Sequence, residues 1–418
     1  MFWIVLILQG VFWGSLAALA HTYAVYPVLL RLLVRYLPAR FLRHPKLLSP
    51  SQASTSAGPF PHVVAFMAVY NEEAVLERTL QSLLAVDYPA DRFHIVLGSD
   101  HSTDGSHDII RRCQELPGGP GLELQIFPGR CGKICIINQL VEERTDWIAS
   151  LGDDVVFILC DANVRWTPGL VKRMVRDFSD PRVGLVAPRV VDESFAGRGG
   201  ISQQENAYID RENGVKLAES VLWGCMMGAF GACYALRGKL FRPMPTHCLI
   251  MDDFYQTMSC LEQGGDAVKD PAAVCYEAVS ESIHEEFRRK RRISTGNFQN
   301  LAFFFRLFLP WRNPAVSFAF WSHKGLRWFG PLFLLAVFVS AAILSWWHWF
   351  YLFAFLSQLA VMAAAWLEEY LPRPVRLLRY ARYFYVMNWA LLMGGLVWLR
   401  GTRNSVWEPT RRVVSAAG

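Results

Sequence analysis

From residue 62 onward, short apolar runs alternate with stretches of helical spacing. Residues 62–69 form an apolar run suited to a buried strand, and within 72–84 the residues Val75, Leu76, Leu80, Leu83 and Leu84 recur at helical intervals. The alternation continues with strands over 94–98, 122–127 and 155–160 and helices over 104–114 and 133–143. This pattern predicts a mostly parallel sheet covered by helices on both faces. In such sheets ligands bind beyond the carboxyl ends of the strands.

Outside this region the pattern changes. Residues 1–30, 328–367 and 383–399 carry no Asp, Glu, Lys or Arg. At about 20 residues per crossing, they predict one membrane helix, two helices joined near 346–349, and one borderline crossing. The first stretch contains Ala18-Leu19-Ala20, similar to a signal-peptide cleavage site. It lacks a basic start and stays apolar past Ala20, so a retained helix is expected. Arg31, Arg35, Arg40, Arg43 and Lys46 follow it and, by the positive-inside rule, place the next segment in the cytosol.

The expected division is a transmembrane helix (1–33), a linker (34–61) ending in a Ser, Ala, Gly and Pro-rich stretch, and a cytosolic α/β domain (62–297). An interfacial amphipathic segment (298–325), transmembrane helices (326–400) and a tail (401–418) complete it. Three further crossings after a cytosolic linker would carry Arg400, Arg403, Arg411 and Arg412 outside, against the positive-inside rule. The last apolar stretch contains Asn388, Gly394 and Gly395, and Arg residues flank it. It, or the Arg-rich stretch before it, is therefore expected to lie at the interface or to re-enter, leaving the tail cytosolic.

Composition fits this division: 53% of the 418 residues are hydrophobic, room for one catalytic domain and several membrane helices but not for two large soluble domains as well. The net charge of +6 matters because the basic residues cluster beside apolar stretches and at Arg288-Arg289-Lys290-Arg291-Arg292. That run suits a phosphorylated ligand or anionic lipid headgroups better than nucleic acid. Nine cysteines without paired C-x-x-C spacing read as reduced thiols, not a zinc site.

The strand ends carry the chemistry. They read Tyr70-Asn71-Glu72-Glu73, Ser99-Asp100, Arg130-Cys131-Gly132-Lys133 and Asp161-Ala162-Asn163. Any one of these groups is as well suited to capping a helix as to binding, but four polar ends on one rim point to a ligand site. Asp161 and Asn163, two apart at a strand end, present oxygens to a hard divalent cation such as Mg²⁺ or Mn²⁺. Asp252 and Asp253 precede a helix over 254–261, where an N-terminal cap and a catalytic carboxylate are both compatible with the position.

These motifs, followed by Met227-Gly228-Ala229-Phe230-Gly231, Met251-Asp252-Asp253 and Arg289-Lys290-Arg291-Arg292-Ile293, occur in the order found in family-2 glycosyltransferases. Over residues 60–300 the chain resembles the membrane-integrated branch that includes cellulose, chitin and hyaluronan synthases and bacterial polysaccharide transferases. The resemblance implies a Rossmann-like α/β GT-A domain with α-helical transmembrane segments, in an inner (plasma) membrane with the catalytic domain cytosolic. It implies a nucleotide-sugar donor, UDP favoured, and a growing glycan as acceptor. Tyr70, Asn71, Glu72, Asp100, Lys133 and Asp161 would hold the donor, with Arg289 and Arg292, and Arg292 takes the place of the family's pyrophosphate-binding Arg. Asp253 would be the general base, and Asp161 with Asn163 would bind Mg²⁺ or Mn²⁺. Gly228 and Asp252 would face the acceptor, with Trp223 or Trp407 as an aromatic platform. The chain departs from the pattern at Asn163, where a second Asp is usual, and at Ile293, where a Trp is usual. Two rival readings are a transferase that loads sugar onto a polyprenyl phosphate or other lipid, and a non-enzymatic membrane protein with a nucleotide-binding domain.

Overall fold

Eight strands form one mixed sheet in a computed structural model that describes residues 2–48, 60–116, 119–192, 202–246, 251–277, 283–371 and 375–401. In chain order they are β1 (Val63–Val69), β2 (Phe93–Ser99), β3 (Gly121–Ile126), β4 (Val156–Asp161), β5 (Val164–Trp166), β6 (Val183–Asp192), β7 (Cys233–Arg237) and β8 (Asp266–Glu277). Their order across the sheet is β3-β2-β1-β4-β7-β6-β8-β5. Neighbours β3-β2-β1-β4 are parallel, as the alternation predicts. β7 runs antiparallel to both β4 and β6, and β5 antiparallel to β8, so the second half of the sheet is mixed.

The chain leaves β1 toward β2 on one side and returns to β4 on the other. A crevice therefore opens at the carboxyl ends of β1 and β4, and Ala68 pairs with Asp161 at that point. Fully buried Val63, Ala65 and Met67 of β1 belong to the same core cluster as Leu76, Leu80 and Leu83 of the helix Glu73–Leu84, which are the positions its helical spacing marks.

The chain packs as two units, one built on Leu33–Glu281 and holding the sheet, the other on Met1–Leu32 with Ser282–Gly401. Residue 297, the expected end of the soluble domain, lies inside a continuous helix, Ile283–Phe303. Within the first unit, the segment entering the sheet is tied to its core. Arg43 and His44 donate their N–H groups to Val221 O, and their side chains meet Asp266 at 2.9 and 2.8 Å. Burial alone would raise the Asp266 carboxyl, but the hydrogen bonds from His44 and Arg43 outweigh it and hold it below the ordinary carboxylate range.

Among the described residues, two helices are long and apolar enough to cross a membrane, Phe2–Tyr36 and Trp349–Leu367. The pair Pro314–Trp328 and Gly330–Leu344, bent by 61°, adds a third if it is one broken span. The first of these helices widens to a π-turn at His21–Val25, with Tyr26 N bonded to His21 O. Pro27, which lacks an N–H and crowds the carbonyl four residues earlier, accounts for the widening. Apolar side chains such as Trp3, Ile7, Leu335, Phe353 and Leu356 are exposed, a surface suited to lipid. The last apolar stretch lies in Arg376–Leu399, which is not among the helices that pass as crossings. Its glycines have a packing reason: a Cβ at Gly394 would collide with the Arg291 carbonyl and Ser294 of Ile283–Phe303. Ser294 Oγ donates to Leu391 O at 2.7 Å across the same contact. The tail from 402, with Trp407, lies outside the described residues.

Replacing Asp266 by Ala is expected to destabilise the sheet-bearing unit by about 3 kcal/mol, because it strands the His44 and Arg43 groups that meet it. The lowered carboxyl fixes the pH sign: the stabilisation is complete above the ordinary carboxylate range and fades as pH falls through the folded value. Urea unfolding in detergent at pH 7 and at about pH 2 checks both, and an Asp266→Ala difference that does not shrink in acid would contradict the assignment.

Candidate active site

The loops after β1 and β2 are laced together. Asn71 adopts the left-handed region (φ 50), which asparagine tolerates, and its Oδ1 accepts from Thr103 N at 2.8 Å. Glu73 N donates to Asp104 Oδ2 at 3.0 Å, and Gly105 N donates back to Glu73 Oε2 at 3.0 Å. The helix N-caps that follow, Glu72, Gly105 and Gly132, make no side-chain capping bond. Asn71 and Asp100 thus bind neighbouring loops instead of capping.

Asp100, 3% exposed, organises the next turn. Its Oδ1 accepts from Cys131 N at 2.7 Å and from Gly132 N at 3.2 Å. Gly132 has φ 88, a conformation that side-chain-bearing residues rarely adopt. Arg130, named in the sequence only as part of this turn, stacks its guanidinium 3.5 Å from the Tyr70 ring centroid and lies 3.6 Å from Asp100. The turn delivers Lys133 at the first position of the helix Lys133–Glu142.

Lys133 joins two distant parts of the chain. Its Nζ donates to Asp161 Oδ1 at 2.7 Å and forms an ion pair with Asp252 Oδ2 at 2.8 Å. Burial disfavours the ammonium, but the two carboxylates outweigh that and raise its pKa, so Lys133 stays charged. Asp161 ends β4, and Asn163 is buried in the turn to β5 with no partner for its Nδ2 among the described residues.

Asp252 and Asp253 open the helix Asp252–Glu262, whose N-cap is Met251. Asp253 Oδ1 accepts from Phe254 N at 2.7 Å, and its carbonyl accepts from Thr257 Oγ1 at 2.6 Å. Burial and then the Asp252 charge push the Asp253 carboxyl up to about 6, against the Phe254 N–H, Lys216 and Lys133, which pull it down. A carboxyl titrating there is ionised at neutral pH and still basic enough to take a hydroxyl proton. Tyr234 of β7 is fully buried, and the charges of Asp252, Asp253 and Asp161 act on its phenol.

On the far side of Asp253, Gly228 has φ 82, and a Cβ there would come within 2.8 Å of Phe254. Trp223 closes the helix Ser202–Trp223 and is half-buried. The sheet-bearing unit thus brings Tyr70, Asn71, Glu72, Asp100, Lys133, Asp161, Asn163, Gly228, Asp252 and Asp253 onto the strand-end rim and the loops after it, whereas Trp223 adjoins Gly224, whose carbonyl accepts from Ala267 N at the opposite end of the sheet. Arg289 and Arg292 belong to the other unit, on Ile283–Phe303, where Arg289 meets buried Glu286 at 3.5 Å.

A parallel-to-antiparallel sheet with basic and acidic groups at its switch point is the GT-A fold of nucleotide-sugar transferases. The model "Glycosyl transferase family 2" matches residues 64–237, and "Glycosyl transferase family group 2" matches residues 156–367, half of the chain. The chain belongs to this family of glycosyltransferases. It is 29% identical over 205 residues to the Beta-monoglucosyldiacylglycerol synthase of Synechocystis sp., covering 48% of this chain and 40% of that protein. It is 26% identical over 172 residues to a Glycosyltransferase 25 family member of Drosophila pseudoobscura pseudoobscura, covering 37% of this chain and 27% of that protein. The chain thus spans less than half the length of either curated relative. Among solved structures, the mannosyltransferase PcManGT from Pyrobaculum calidifontis, in complex with GDP-Man and Mn²⁺, superposes with a TM-score of 0.67 at 21% identity. That match covers 94% of this chain and 99% of the other.

Lys133→Met removes the cation between two carboxylates and is expected to destabilise the domain by about 3 kcal/mol. Lys133→Arg should recover part of the loss. Thermal unfolding in detergent checks the pair, and a Lys133→Met chain as stable as the parent would show that Asp161 and Asp252 need no counter-charge.

Proposed function

We propose that the chain transfers a sugar from a nucleotide-sugar, UDP being the favoured carrier, to a growing glycan at the cytosolic face of an inner membrane. The observation that carries this reading is Asp253, a carboxyl raised to about 6 by burial and by Asp252, at the rim that also holds Lys133 and Asp161. Asp253 takes the acceptor hydroxyl proton as that oxygen attacks the anomeric carbon. The bond from that carbon to the diphosphate breaks, and direct displacement inverts its configuration. Lys133 lies near the donor phosphates and Arg292 pairs with them bidentately. Tyr70, Asn71, Glu72, Asp100 and Arg289 complete the donor side. Gly228 and Asp252 face the acceptor, and of the two candidate aromatic platforms Trp407, outside the described residues, is retained because Trp223 lies at the other end of the sheet.

A divalent cation fits the residues present. The Asp161 carboxylate already holds a cation, the Lys133 ammonium, and Asn163, buried two residues further on, would add its side-chain amide oxygen. Among the described residues no group of three or more His, Cys, Asp or Glu converges, so Asp161 and Asn163 would share the ion with diphosphate oxygens and water. Bound there, Mg²⁺ or Mn²⁺ would supply charge neutralisation for the leaving diphosphate. The Mn²⁺ bound by the Pyrobaculum enzyme supports this assignment.

A second reading has a lipid acceptor. The similarity to a Beta-monoglucosyldiacylglycerol synthase and the two apolar helices support it. Radiolabelled UDP- and GDP-sugars offered to the detergent-purified chain with Mg²⁺ or Mn²⁺ separate the two: label in an organic extract with added diacylglycerol favours the lipid, label in polymer the glycan.

Asp253→Asn should abolish transfer while donor binding survives. In the parent, kcat/KM should fall as pH drops through about 6, because the base must be ionised. Substantial turnover by a folded Asp253→Asn chain would sink the assignment. Arg292→Ala should weaken donor binding by about 2 kcal/mol, roughly thirtyfold, and Arg288→Ala much less. Calorimetric titration with the nucleotide diphosphate reads both, and equal small effects would return the basic run to the membrane surface.

A further inference from the structure

A buried cation on the acceptor side of Asp253 has no part in the mechanism above. Lys216, 3% exposed, projects from the middle of Ser202–Trp223. Its Nζ donates to Ala229 O at 3.3 Å and lies 3.5 Å from the Phe230 ring centroid. Beyond Phe230 comes Gly231, where a Cβ would sit 3.5 Å from Asp253 Oδ2. The same three-residue turn is held from the other side, since Ala229 N donates to Thr257 Oγ1 at 3.0 Å and that hydroxyl donates to Asp253 O at 2.6 Å. One turn further along Lys216's helix, Glu219 Oε2 accepts from Met227 N at 3.0 Å. The 227–231 loop is therefore clamped between two helices, one carrying Asp253 and the other Lys216.

Burying an ammonium is costly unless its surroundings compensate, and a methionine of similar length would fill the space without that cost. The lysine therefore does something its volume does not. We propose that Lys216 is a positioning residue for transfer: a fixed cation that holds the 229–231 turn and its Phe230 ring against Asp253 and biases that carboxyl toward its basic form. The inference rests on Asp253 as the general base. Among the described residues, the charged and titratable groups that act on Asp253 include Asp252 on its own helix, Lys133 from Lys133–Glu142, Tyr234 from β7 and Lys216. Lys133 is committed to Asp161 and Asp252. Lys216 is the cation on the opposite side, bonded to the turn that touches Asp253. Lys269, whose Nζ is 5.3 Å from the Phe230 ring, donates to Pro188 O at 2.7 Å and serves the sheet.

The test is the pH profile of the detergent-purified full chain, with donor concentration varied at each pH. Lys216→Met should lower kcat by about tenfold or more with donor KM within about twofold, and move the acid limb of kcat/KM upward by about half a pH unit. Lys216→Arg, which keeps the charge, should return the limb to its parental position. Should Lys216→Met fail to fold, Phe230→Leu removes the ring under the ammonium and should move the limb the same way by a smaller amount. An acid limb unmoved in whichever folded variant is measured overturns the proposal, even if activity falls. Failure of the underlying reading is separate: it appears as turnover in Asp253→Asn, whereas an inactive Asp253→Asn with an unmoved limb overturns Lys216 alone.

Discussion

The ion pairs of Lys133 hold the active-site rim together. Asp161 belongs to the parallel half of the sheet, at the end of β4, and Asp252 to a helix about 90 residues later. The β4–β7 ladder already joins the two halves of the sheet, and the ammonium adds a second tie, from the end of β4 to the helix that carries Asp253. Two like charges this close would repel by several kcal/mol at an intermediate dielectric. The cation turns that repulsion into an attachment. What aims Lys133 lies a strand away: the buried Asp100 carboxylate folds the turn over 130–132 around itself, and Gly132 supplies the left-handed step that starts the helix. A carboxylate that resembles a ligand contact in the sequence is thus also the support for a cation that contacts two others.

The parallel half of this arrangement was legible in the sequence because β1, β2 and β4 are buried on both faces and amphipathic helices separate the strands. Those three therefore appear as nearly continuous apolar runs, and the edge strand β3 as the alternation Leu122, Leu124, Ile126. The antiparallel half was not. β5 is three residues long, β7 is five, and β6 is interrupted by Pro188 beside a register shift. Such strands have no period of their own, and only their neighbours in the sheet define them. The site followed the same division. Asp100 and Asp161 stand at the ends of readable strands and Lys133 at the start of a readable helix, whereas Arg130 and Lys216 carry no pattern: one is identified by a ring beneath it, the other by burial in a helix that mixes polar and apolar residues.

The membrane-type unit gives the opposite lesson about glycine. Gly394 and Gly395 read as weaknesses in an apolar stretch, since glycine lowers helix propensity. In the structure they are where the helix Arg376–Leu399 approaches Ile283–Phe303 closely enough for Ser294 and Thr295 to bond to its carbonyls. A larger residue there would push the helices apart. The same glycines that weaken a span taken alone permit the contact that holds the basic helix in place.

The final step concerns why two adjacent carboxylates open one helix. Successive helical residues point about 100° apart, so Asp252 and Asp253 cannot share an environment. Asp252 turns to Lys133 and takes a full counter-charge. Asp253 turns toward Gly231, receives one N–H from Phe254, and feels the Asp252 charge beside it. The first carboxylate is thereby committed to holding the rim together, and the second is left short of compensation, which is the condition of a base. Divergent environments for neighbouring acids divide the labour of a site, and here the helical turn alone sets the divergence. Both carboxylates are needed, because without Asp252 the Lys133 ammonium would keep Asp161 alone and Asp253 would lose the neighbouring charge that raises it.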